Sequence, residues 1–141
     1  MLIRARAPLR ISFAGGGTDV SPYSDLYGGC ALNATIDKYA YTSLQPTAED
    51  LIEVHSLDYD FIAHYKMDDS LPFDGQMDLA KAVIRRLKRN RNGVSLTTHN
   101  DAPPGSGLGS SSAMVVSLVA AFKEWLGLNM DDYQVAKMAQ D

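Results

Sequence analysis

The chain has 141 residues, a formal net charge of −4 at pH 7 and 45% hydrophobic residues. This length suits one domain with its own hydrophobic core, and the mildly acidic balance excludes binding to nucleic acid through overall charge. Cys30 is the single cysteine, which excludes an internal disulfide framework and favours a reducing compartment. Because no apolar run approaches the roughly 20 residues that span a bilayer, we expect a cytoplasmic protein that binds neither nucleic acid nor membranes.

The first half of the chain shows a rough alternation of apolar and polar residues, which is typical of strands. We predict one strand over residues 1–7 and a second over 9–14, with Pro8 restricting them to a sheet edge or a strand junction. A short helix is predicted over 21–27, because Pro22 suits its first position. The other predicted strands are residues 30–44, 51–57 and 61–66, of which the last two flank a hairpin turn at 58–60.

The second half of the chain changes to helical periodicity. Apolar residues at helical spacing predict a helix over 77–90, after which residues 94–98 resume strand character. An apolar run from residue 113 predicts a helix that ends near 126, with Gly127 as its stop. Asn129 is predicted to cap a last helix over 131–140. This order of elements predicts an α+β domain with a mixed, largely antiparallel sheet that helices cover on one face.

The most informative chemical signal is the glycine-rich segment PPGSGLGSSSA at residues 103–113. Glycines let the backbone turn sharply and approach a ligand, and the N–H groups of the helix that follows favour an anion. The segment is not a P-loop, because Ser110 stands where that loop requires a lysine. It is not a dinucleotide fingerprint either, because that pattern requires a third glycine at the same position. From the residues alone, a phosphate site and an ordinary connection into a buried helix both stay open.

This segment resembles the ATP-binding motif of the GHMP kinases, a family that includes galactokinase, homoserine kinase, mevalonate kinase and phosphomevalonate kinase. By position, the resemblance implies that the nucleotide is bound by Pro104, Gly105, Ser106, Gly107, Leu108, Gly109, Ser110, Ser111 and Ser112. It also implies that Ser111 contacts Mg²⁺, a hard ion that prefers oxygen ligands. The expected cofactors are therefore ATP and Mg²⁺.

A second stretch, APLRISFAGGGTD at residues 7–19, resembles the substrate motif of the same family. Arg10 matches a catalytic cation, since a fixed positive charge near the transferred phosphoryl group stabilises the transition state. Asp19 matches an acidic residue that hydrogen-bonds sugar hydroxyls in galactokinase, and Gly16, Gly17 and Thr18 complete the implied substrate-binding turn. Without the resemblance, Arg10 is interpreted as a cation at a sheet edge and Asp19 as a turn residue.

The same stretch indicates which sugar to expect. Galactokinase carries Glu-His where this chain has Gly16 and Gly17, so galactose is not the expected substrate. Together with YGG at residues 27–29 and LNATIDKY at 32–39, the motif looks most like the heptose 7-phosphate kinases. That resemblance implies transfer from ATP to the anomeric hydroxyl of D-glycero-D-manno-heptose 7-phosphate. A fucokinase-like or other sugar kinase, and a non-catalytic sugar or nucleotide sensor on the same fold, are the alternatives.

A substrate that already carries a phosphate needs a further cation. Arg4, Arg6 and Lys38 are candidates, and Lys38 is preferred over any single basic residue of the predicted helix over 77–90. A basic set on the predicted helix is expected to form a solvated face: Lys81, Arg85, Arg86, Lys88 and Arg89. Cys30 is expected to be a small buried residue. We expect surface or packing roles rather than metal binding for the histidines, because their spacing suits no metal site: His55, His64 and His99.

The resemblance also implies parts that follow this chain. The family's catalytic aspartate and a second Mg²⁺ ligand are expected after Asp141, together with a C-terminal domain that closes the site. We therefore expect residues 1–141 to form a truncated GHMP kinase N-terminal ATP-binding domain that lacks turnover by itself. The family's domain has a ribosomal-protein-like fold with a left-handed β-α-β unit. The sequence leaves the oligomeric state open, with a homodimer as one option.

Overall fold

The computed structural model describes residues 1–66, 70–87 and 92–140. The elements in chain order are β1 (Ile3–Ala14), α1 (Tyr23–Tyr27), β2 (Leu32–Thr47), β3 (Leu51–Ser56), β4 (Phe61–Lys66), α2 (Asp78–Leu87), β5 (Gly93–Asn100), α3 (Ser110–Leu126) and α4 (Asp132–Gln140). The predicted continuation of α2 past Leu87 lies outside the described residues, as do Lys88, Arg89 and Asp141. The remaining predicted elements are confirmed to within a few residues, apart from the N-terminal strands.

The strands of the described residues form one sheet in the order β1-β2-β5-β3-β4. β1 pairs antiparallel with β2, β2 with β5, and β3 with β4, whereas β3 and β5 are parallel. Parallel strands need a crossover connection, and the chain passes through β4 and α2 between β3 and β5. The predicted α+β class with a mixed, largely antiparallel sheet is confirmed. The left-handed sense of the β-α-β unit stays a prediction.

A single strand, β1, replaces the two strands predicted for residues 1–14. It lies at the edge of the sheet, where a residue without an N–H group interrupts no ladder on the outer side. The pairing shifts register at this point, since Pro8 lies opposite Tyr39 whereas Arg10 lies opposite Thr35. The predicted break is therefore wrong, and the proline marks a shift of register within one continuous strand.

One face of the sheet carries the hydrophobic core. On β1 the buried residues Ile3, Ala7 and Leu9 point to this face, while the residues between them are more exposed. Helix α3 packs against β1 and β2, and α2 packs against α3. The helical spacing seen in the sequence is confirmed in α2, which buries Ala80, Val83, Ile84 and Leu87. Alternate burial thus places the helices on one face, as predicted.

Beyond Leu9, strands β1 and β2 extend past the core as a two-stranded ribbon. All residues of 10–14 and 32–35 are exposed, and the side chain of Phe13 keeps 64% of its accessible surface. The turn that connects β1 to α1 lies at the tip of this ribbon. The ribbon therefore carries the predicted substrate motif away from the packed core and into an accessible position.

A hydroxyl pair links α3 to the sheet inside the core. Thr42 on β2 and Ser117 on α3 are both fully buried, and their hydroxyl oxygens lie 2.7 Å apart. Ser117 also donates to the carbonyl of Met114, one turn earlier, at 2.9 Å. Because each buried hydroxyl has a partner, the pair fixes the position of α3 along β2.

Of the two predicted helix-end residues, Gly127 is confirmed and Asn129 is wrong. Gly127 ends α3 in the left-handed conformation, with φ +62°, as predicted. Helix α4 is capped by Asp131 rather than by Asn129. The Asp131 carboxylate accepts from the Gln134 N–H at 2.8 Å, while the Gln134 side chain accepts from the Asp131 N–H at 2.9 Å. This reciprocal capping box satisfies two end groups at once, which the isolated Asn129 cannot do.

Candidate functional site

The glycine-rich loop adopts a conformation that only glycines tolerate easily. Gly105, Gly107 and Gly109 have φ values of +79°, +74° and +74°, in the left-handed region where a Cβ atom is unfavourable. Alternating glycines therefore let the backbone reverse direction repeatedly over a few residues. Residues 103–107 of this loop are exposed, so their main-chain groups are accessible to a ligand.

Helix α3 begins at the end of this loop without a side-chain cap. Gly109 is its N-cap residue, and no side chain hydrogen-bonds to the first turn. The first helical hydrogen bond runs from the Ala113 N–H to the Gly109 carbonyl at 3.0 Å. The N–H groups of Ser110, Ser111 and Ser112 thus have no carbonyl partner within the helix, and together with the helix dipole they suit an anion.

Arg10 on β1 lies directly against this loop. Its backbone N–H donates to the Leu108 carbonyl at 3.0 Å. A Cβ atom added to Gly109 would lie 3.3 Å from Cγ and 3.4 Å from Nε of Arg10, so the arginine side chain passes over the glycine at the start of α3. The structure thus brings together the two segments that the sequence singled out separately, residues 7–19 and 103–113.

The turn after β1 is closed by Thr18. Its hydroxyl donates to the Gly15 carbonyl at 2.7 Å and accepts from the Cys30 N–H at 3.2 Å. A Cβ atom on Gly15 would lie 1.9 Å from the Cys30 carbonyl oxygen, and one on Gly29 would lie 1.9 Å from the Thr18 carbonyl oxygen. The two backbone segments therefore pack so closely that both glycines are required, and the Thr18 hydroxyl is engaged in holding the turn.

Cys30 is exposed, so the prediction of a small buried residue is wrong. The apolar neighbourhood that suggested burial in the sequence lies in the loop between α1 and β2. This loop contacts the Gly15–Thr18 turn through main-chain groups, and it lies outside the hydrophobic core.

The remaining residues of the predicted substrate turn face solvent. A Cβ atom on Gly17 would meet nothing within 4 Å, and one on Gly16 would meet only the Ser12 hydroxyl at 3.7 Å. Asp19 is exposed and follows directly on the closed turn. Asp19 follows the tip of the ribbon. Along β1, Ala14 at this tip lies roughly 13 Å from Arg10, at about 3.3 Å per residue. Among the described residues no ion pair joins Asp19 to Arg10.

Lys38 lies in an irregular part of β2 beside Arg10. Between the pairs Pro8–Tyr39 and Arg10–Thr35, residues 36–38 of β2 lie opposite a single residue of β1. Such a bulge bends a strand and redirects its side chains. Lys38 is exposed, and the bulge brings it to the level of Leu9, one residue before Arg10.

Asp101 ties the start of the glycine-rich loop to this bulge. Its carboxylate accepts from the Tyr39 N–H at 2.9 Å and from the Tyr41 hydroxyl at 3.2 Å. The Asp101 N–H in turn donates to the Tyr39 carbonyl at 2.9 Å. Burial raises the pKa of Tyr41, and the neighbouring negative charge of Asp101 and the hydrogen bond to it add to that effect. Asp101 thus fixes the loop relative to the strand that carries Lys38.

A cavity of about 470 Å³ opens beside the glycine-rich loop. It is bounded by the β3–β4 turn, the segment that precedes α2, the end of β5 and the first turns of α3. Much of its wall is apolar or aromatic, and Ser110 and Ser111 form the part next to the loop. Residues that represent the different walls are Tyr59, Phe61, Met77, Leu79, Met114 and Leu118. An apolar cavity with a few polar groups is typical of a site for a small molecule.

Asp58 holds the β3–β4 turn to the end of β5 at one side of this cavity. Its side chain is 6% exposed, and it accepts from the Asn100 N–H at 2.9 Å and from Asn100 Nδ2 at 2.7 Å. His99 Nδ1 lies 3.2 Å from the same carboxylate, and the His99 ring stacks on Tyr41. Asp58 therefore positions one wall of the cavity by three contacts with β5.

Lys81 is buried, so the prediction of a solvated basic face is wrong for this residue. Its side chain is fully shielded, and Nζ donates to the Pro72 carbonyl at 3.0 Å and to the Asp74 carboxylate at 2.6 Å. Asp78 accepts from the Gly75 N–H at 2.9 Å and lies 3.7 Å from Nζ. Since residues 75–78 line the cavity, Lys81 stabilises the cavity wall from below.

Two further basic residues of α2, Arg85 and Arg86, are exposed as predicted. Arg85 is exposed on α2 and stacks its guanidinium 4.9 Å from the Phe73 ring centre. Within residues 1–66, 70–87 and 92–140, no group of three or more candidate metal ligands forms. His64 lies 3.7 Å from Glu53 on the neighbouring strand. In the part of the chain that the structure describes, no helix is long and apolar enough to cross a membrane.

Sequence reasoning missed the cavity and the residues that shape it. The sequence predicts only a hairpin turn for Asp58 and a solvated face for Lys81. The sequence signals for these residues are weak. Asp58 lies in a predicted turn, Asp101 lies two residues before a pair of prolines, and Lys81 lies within a basic set that is predicted to be solvated. Their roles depend on which strands become neighbours, and the β3–β5 pairing brings together residues about 40 positions apart.

Comparison with known proteins identifies relatives of this arrangement. Residues 78–141 match the family model described as the GHMP kinases N terminal domain. The chain is 39% identical to a D-glycero-alpha-D-manno-heptose 7-phosphate kinase of Campylobacter jejuni, over 99% of this chain and 42% of the relative. It is 28% identical to an L-fucokinase/L-fucose-1-P guanylyltransferase of Bacteroides fragilis, over 96% of this chain and 17% of the relative.

A solved structure gives the same result at the level of the fold. The crystal structure of a D-glycero-D-manno-heptose 1-phosphate kinase from Bacteroides thetaiotaomicron superposes with a TM-score of 0.88 and 45% identity. The match covers 99% of this chain and 46% of that chain. The chain thus spans less than half the length of both heptose phosphate kinases.

Proposed function

We propose that the chain belongs to the GHMP kinases and forms the nucleotide-binding part of a heptose phosphate kinase, which the family match of residues 78–141 supports. The reaction is transfer of the γ-phosphoryl group of ATP to the anomeric hydroxyl of D-glycero-D-manno-heptose 7-phosphate. The observation that carries this proposal is the contact between Arg10 and Gly109. It brings the cation of the sugar motif to the start of the helix that suits a phosphate.

The glycine-rich loop is the proposed cradle for the nucleotide. N–H groups of residues 104–112 bind the phosphates, because the loop exposes its backbone and α3 begins without a side-chain cap. The cavity beside Ser110 and Ser111 takes the base and ribose. Mg²⁺, when bound with ATP, neutralises phosphate charge and polarises the transferred group, and the exposed Ser111 is its proposed ligand from this chain.

Arg10 and the ribbon face the sugar in this proposal. The Arg10 guanidinium stabilises negative charge that builds on the transferred phosphoryl group. Gly16 and Gly17 leave space beside the turn, and the exposed Asp19 hydrogen-bonds sugar hydroxyls. Thr18 acts by holding this turn closed rather than by contacting sugar, since its hydroxyl is already engaged. Lys38, in the bulge next to Arg10, is the proposed partner of the distal phosphate.

The general base and the closure of the site are proposed to come from residues that follow this domain in a longer polypeptide. Arg10 lies beside the phosphate loop within the described residues. The carboxylate that accepts the substrate proton is proposed to lie outside residues 1–141. We further infer cytoplasmic action on soluble substrates without nucleic-acid or membrane partners, supported by the net charge of −4 and the single cysteine. Self-association as a homodimer is compatible with these features.

Incubation of the full-length kinase with Mg-ATP and a panel of sugars tests the substrate. Heptose 7-phosphate is expected to be phosphorylated at carbon 1, and fucose and galactose to be inert. Phosphorylation of fucose with inert heptose 7-phosphate would instead support the fucokinase-like alternative, which the fucokinase relative favours. The crystallised relative is named a heptose 1-phosphate kinase. Turnover of heptose 1-phosphate, with heptose 7-phosphate inert, would show that the substrate carries its first phosphate on carbon 1 rather than on carbon 7.

The proposed metal ligand has its own test. Ser111→Ala is expected to weaken binding of Mg-ATP while leaving metal-free ATP binding little changed, because only the hydroxyl is removed. Ser112→Ala, at the next exposed serine, is the matched control. Equal Mg-ATP affinity in wild type and Ser111→Ala would count against the ligand role of Ser111.

A further inference from the structure

Two buried residues with hydroxyl side chains lie where the core of the sheet meets the cavity. On the face of β3 and β5 that points to the helices, Val54 and Leu96 are fully buried and apolar. The next residues on the same face are Ser56 and Thr98, which lie opposite each other in the β3–β5 pairing. They are only 2% and 3% exposed, and both line the cavity. The buried face of β3 and β5 thus changes from apolar to hydroxyl side chains where it reaches the cavity.

Neither hydroxyl has a hydrogen-bond partner among residues 1–66, 70–87 and 92–140. The Asn100 Oδ1 atom is the one fully shielded side-chain nitrogen or oxygen without a partner among the described residues, so the unpaired hydroxyl oxygens of Ser56 and Thr98 keep some accessible surface. This contrasts with the buried pair Thr42 and Ser117, whose hydroxyls bond each other. Ser56 and Thr98 thus carry unused hydrogen-bonding capacity toward the cavity.

Asn100 also lines this wall of the cavity, but its side-chain amide is not available to a ligand. Its Nδ2 donates to Asp58, which fixes the orientation of the amide because a carboxylate can only accept. The Asn100 Oδ1 atom is buried without a partner and is fully shielded. The accessible polar groups on this side are therefore the hydroxyls of Ser56 and Thr98.

The rest of the cavity suits a flat aromatic ring. Tyr59, Phe61, Met77 and Met114 supply aromatic and sulfur-containing walls, while the phosphate loop begins at the mouth with Ser110 and Ser111. A nucleobase has apolar faces and a polar edge, and it is linked through ribose to phosphates. The arrangement of apolar walls, hydroxyl pair and phosphate loop matches that order of chemical groups.

We propose that the hydroxyls of Ser56 and Thr98 hydrogen-bond the ring edge of the nucleotide's base. The inference rests on the proposed function, because it takes the phosphate loop as the site of ATP. It assigns recognition of the base to two side chains on β3 and β5, far in sequence from the glycine-rich loop. The competing occupant of this position is an ordered water that plays no part in nucleotide binding.

Substitution of each hydroxyl tests the proposal by affinity. Thr98→Val and Ser56→Ala are each expected to raise the Kd of Mg-ATP about 2–10-fold, the range for one neutral hydrogen bond. The Kd of inorganic tripolyphosphate, which has no base, is expected to stay unchanged. Thr97→Val is the matched control, because Thr97 is the adjacent residue of β5 and faces the other side of the sheet. It should leave both dissociation constants unchanged.

Stability separates this role from a structural one. In the absence of nucleotide, Thr98→Val is expected to unfold at the same or a higher denaturant concentration, because the hydroxyl that it removes has no partner among the described residues and valine has nearly the same shape. A hydroxyl that holds the fold would instead lower the midpoint when removed. The combination of weaker ATP binding with undiminished stability is the signature of a ligand contact.

The outcomes separate this inference from the proposed function. Unchanged ATP affinity in both single variants and in the double variant overturns the inference and leaves the kinase proposal intact. Equal weakening of ATP and tripolyphosphate also overturns it, since the effect would then lie at the phosphate loop. Failure of the wild-type protein to bind ATP overturns the proposed function and the inference together.

Discussion

The backbone N–H of Arg10 donates a 3.0 Å hydrogen bond to the carbonyl of Leu108. This bond joins the edge strand β1 to a loop almost a hundred positions later in the chain, and the Arg10 side chain continues over Gly109. The contact fixes the distance between a cation and a helix N-terminus independently of any ligand. Preorganised charge of this kind is what stabilises a developing negative charge in catalysis.

Replacement of Gly109 tests the contact between the loop and Arg10. Gly109→Ala should both strain a backbone with φ +74° and push the Arg10 side chain aside, because the new Cβ lies 3.3 Å from its Cγ. We expect a loss of stability of about 1–2 kcal/mol from the backbone and a clear fall in kcat of the proposed full-length kinase.

The matched control is Gly107→Ala. Gly107 has the same φ of +74°, but a Cβ there meets nothing within 4 Å. It should therefore cost similar stability with a smaller fall in kcat. Equal falls in kcat for the two variants would show that backbone strain alone, rather than displacement of Arg10, explains the effect.

The buried pair Thr42 and Ser117 is expected to contribute to stability as a unit. Ser117→Ala leaves the fully buried Thr42 hydroxyl without its 2.7 Å partner, and we expect a loss of about 1–3 kcal/mol in the free energy of unfolding. The double variant Thr42→Val with Ser117→Ala should lose less than the sum of the two single variants. Denaturant unfolding measures all four proteins, and strict additivity would contradict the coupling.

Asp101 is expected to control the ionisation of Tyr41. Burial raises the pKa of Tyr41, and the carboxylate of Asp101 raises it further by its charge and by the 3.2 Å hydrogen bond. Asp101→Asn should therefore lower the pKa of Tyr41 toward its ordinary value. Ultraviolet absorbance between pH 8 and 12 follows the phenolate, and the difference from Tyr41→Phe isolates this tyrosine from the others. An unshifted titration would contradict the contact.

The ion pair of Lys81 and Asp74 predicts a specific dependence of stability on pH. The hydrogen bond from Lys81 lowers the pKa of Asp74, so the carboxylate stabilises the fold above its unfolded pKa of about 3.9. This stabilisation is lost as the pH falls through the lower folded value. Burial lowers the pKa of Lys81, but the hydrogen bond to Asp74 and the charges of Tyr65 and Asp74 outweigh that effect, and the pKa is raised. Its contribution is present below about pH 10.4 and is lost as the pH rises through the folded value.

Lys81→Met removes both contributions. The difference in unfolding free energy between wild type and variant should be largest near neutral pH and should shrink below about pH 4. Denaturant unfolding at pH 7 and pH 3 measures this difference. Arg85→Met, on the exposed side of the same helix, is the control and should show little dependence on pH. A difference for Lys81→Met that stays constant over this range would contradict the ion pair.

The sequence predicted the elements with clear local signals. Glycines and an apolar run defined α3, and alternation over residues 61–66 defined β4, because these patterns act within a few residues. Local patterns could not show that Pro8 is tolerated in an edge strand, since edge position depends on the order of strands. Local patterns could not show the burial of Lys81 either, because it depends on how the segment from Pro72 to Asp78 folds over α2.

The candidate site could be predicted only in part. The residues of the two motifs follow from the resemblance, but the cavity proposed for the base depends on the parallel pairing of β3 with β5, which no local pattern indicates. Ser56 and Thr98 look like ordinary strand residues in the sequence. Their unpaired hydroxyls become visible only when the register places both at the same wall.

The most direct test of the central claim is a titration of ¹⁵N-labelled protein with Mg-ATP, followed through the backbone amide resonances. The claim is that the glycine-rich loop and the first turn of α3 bind the phosphates. We predict the largest shifts at Gly105, Gly107, Gly109 and residues 110–112, with smaller shifts at Ser56 and Thr98. Saturable binding that leaves the amides of residues 105–112 unchanged while shifting those of another surface would contradict the account.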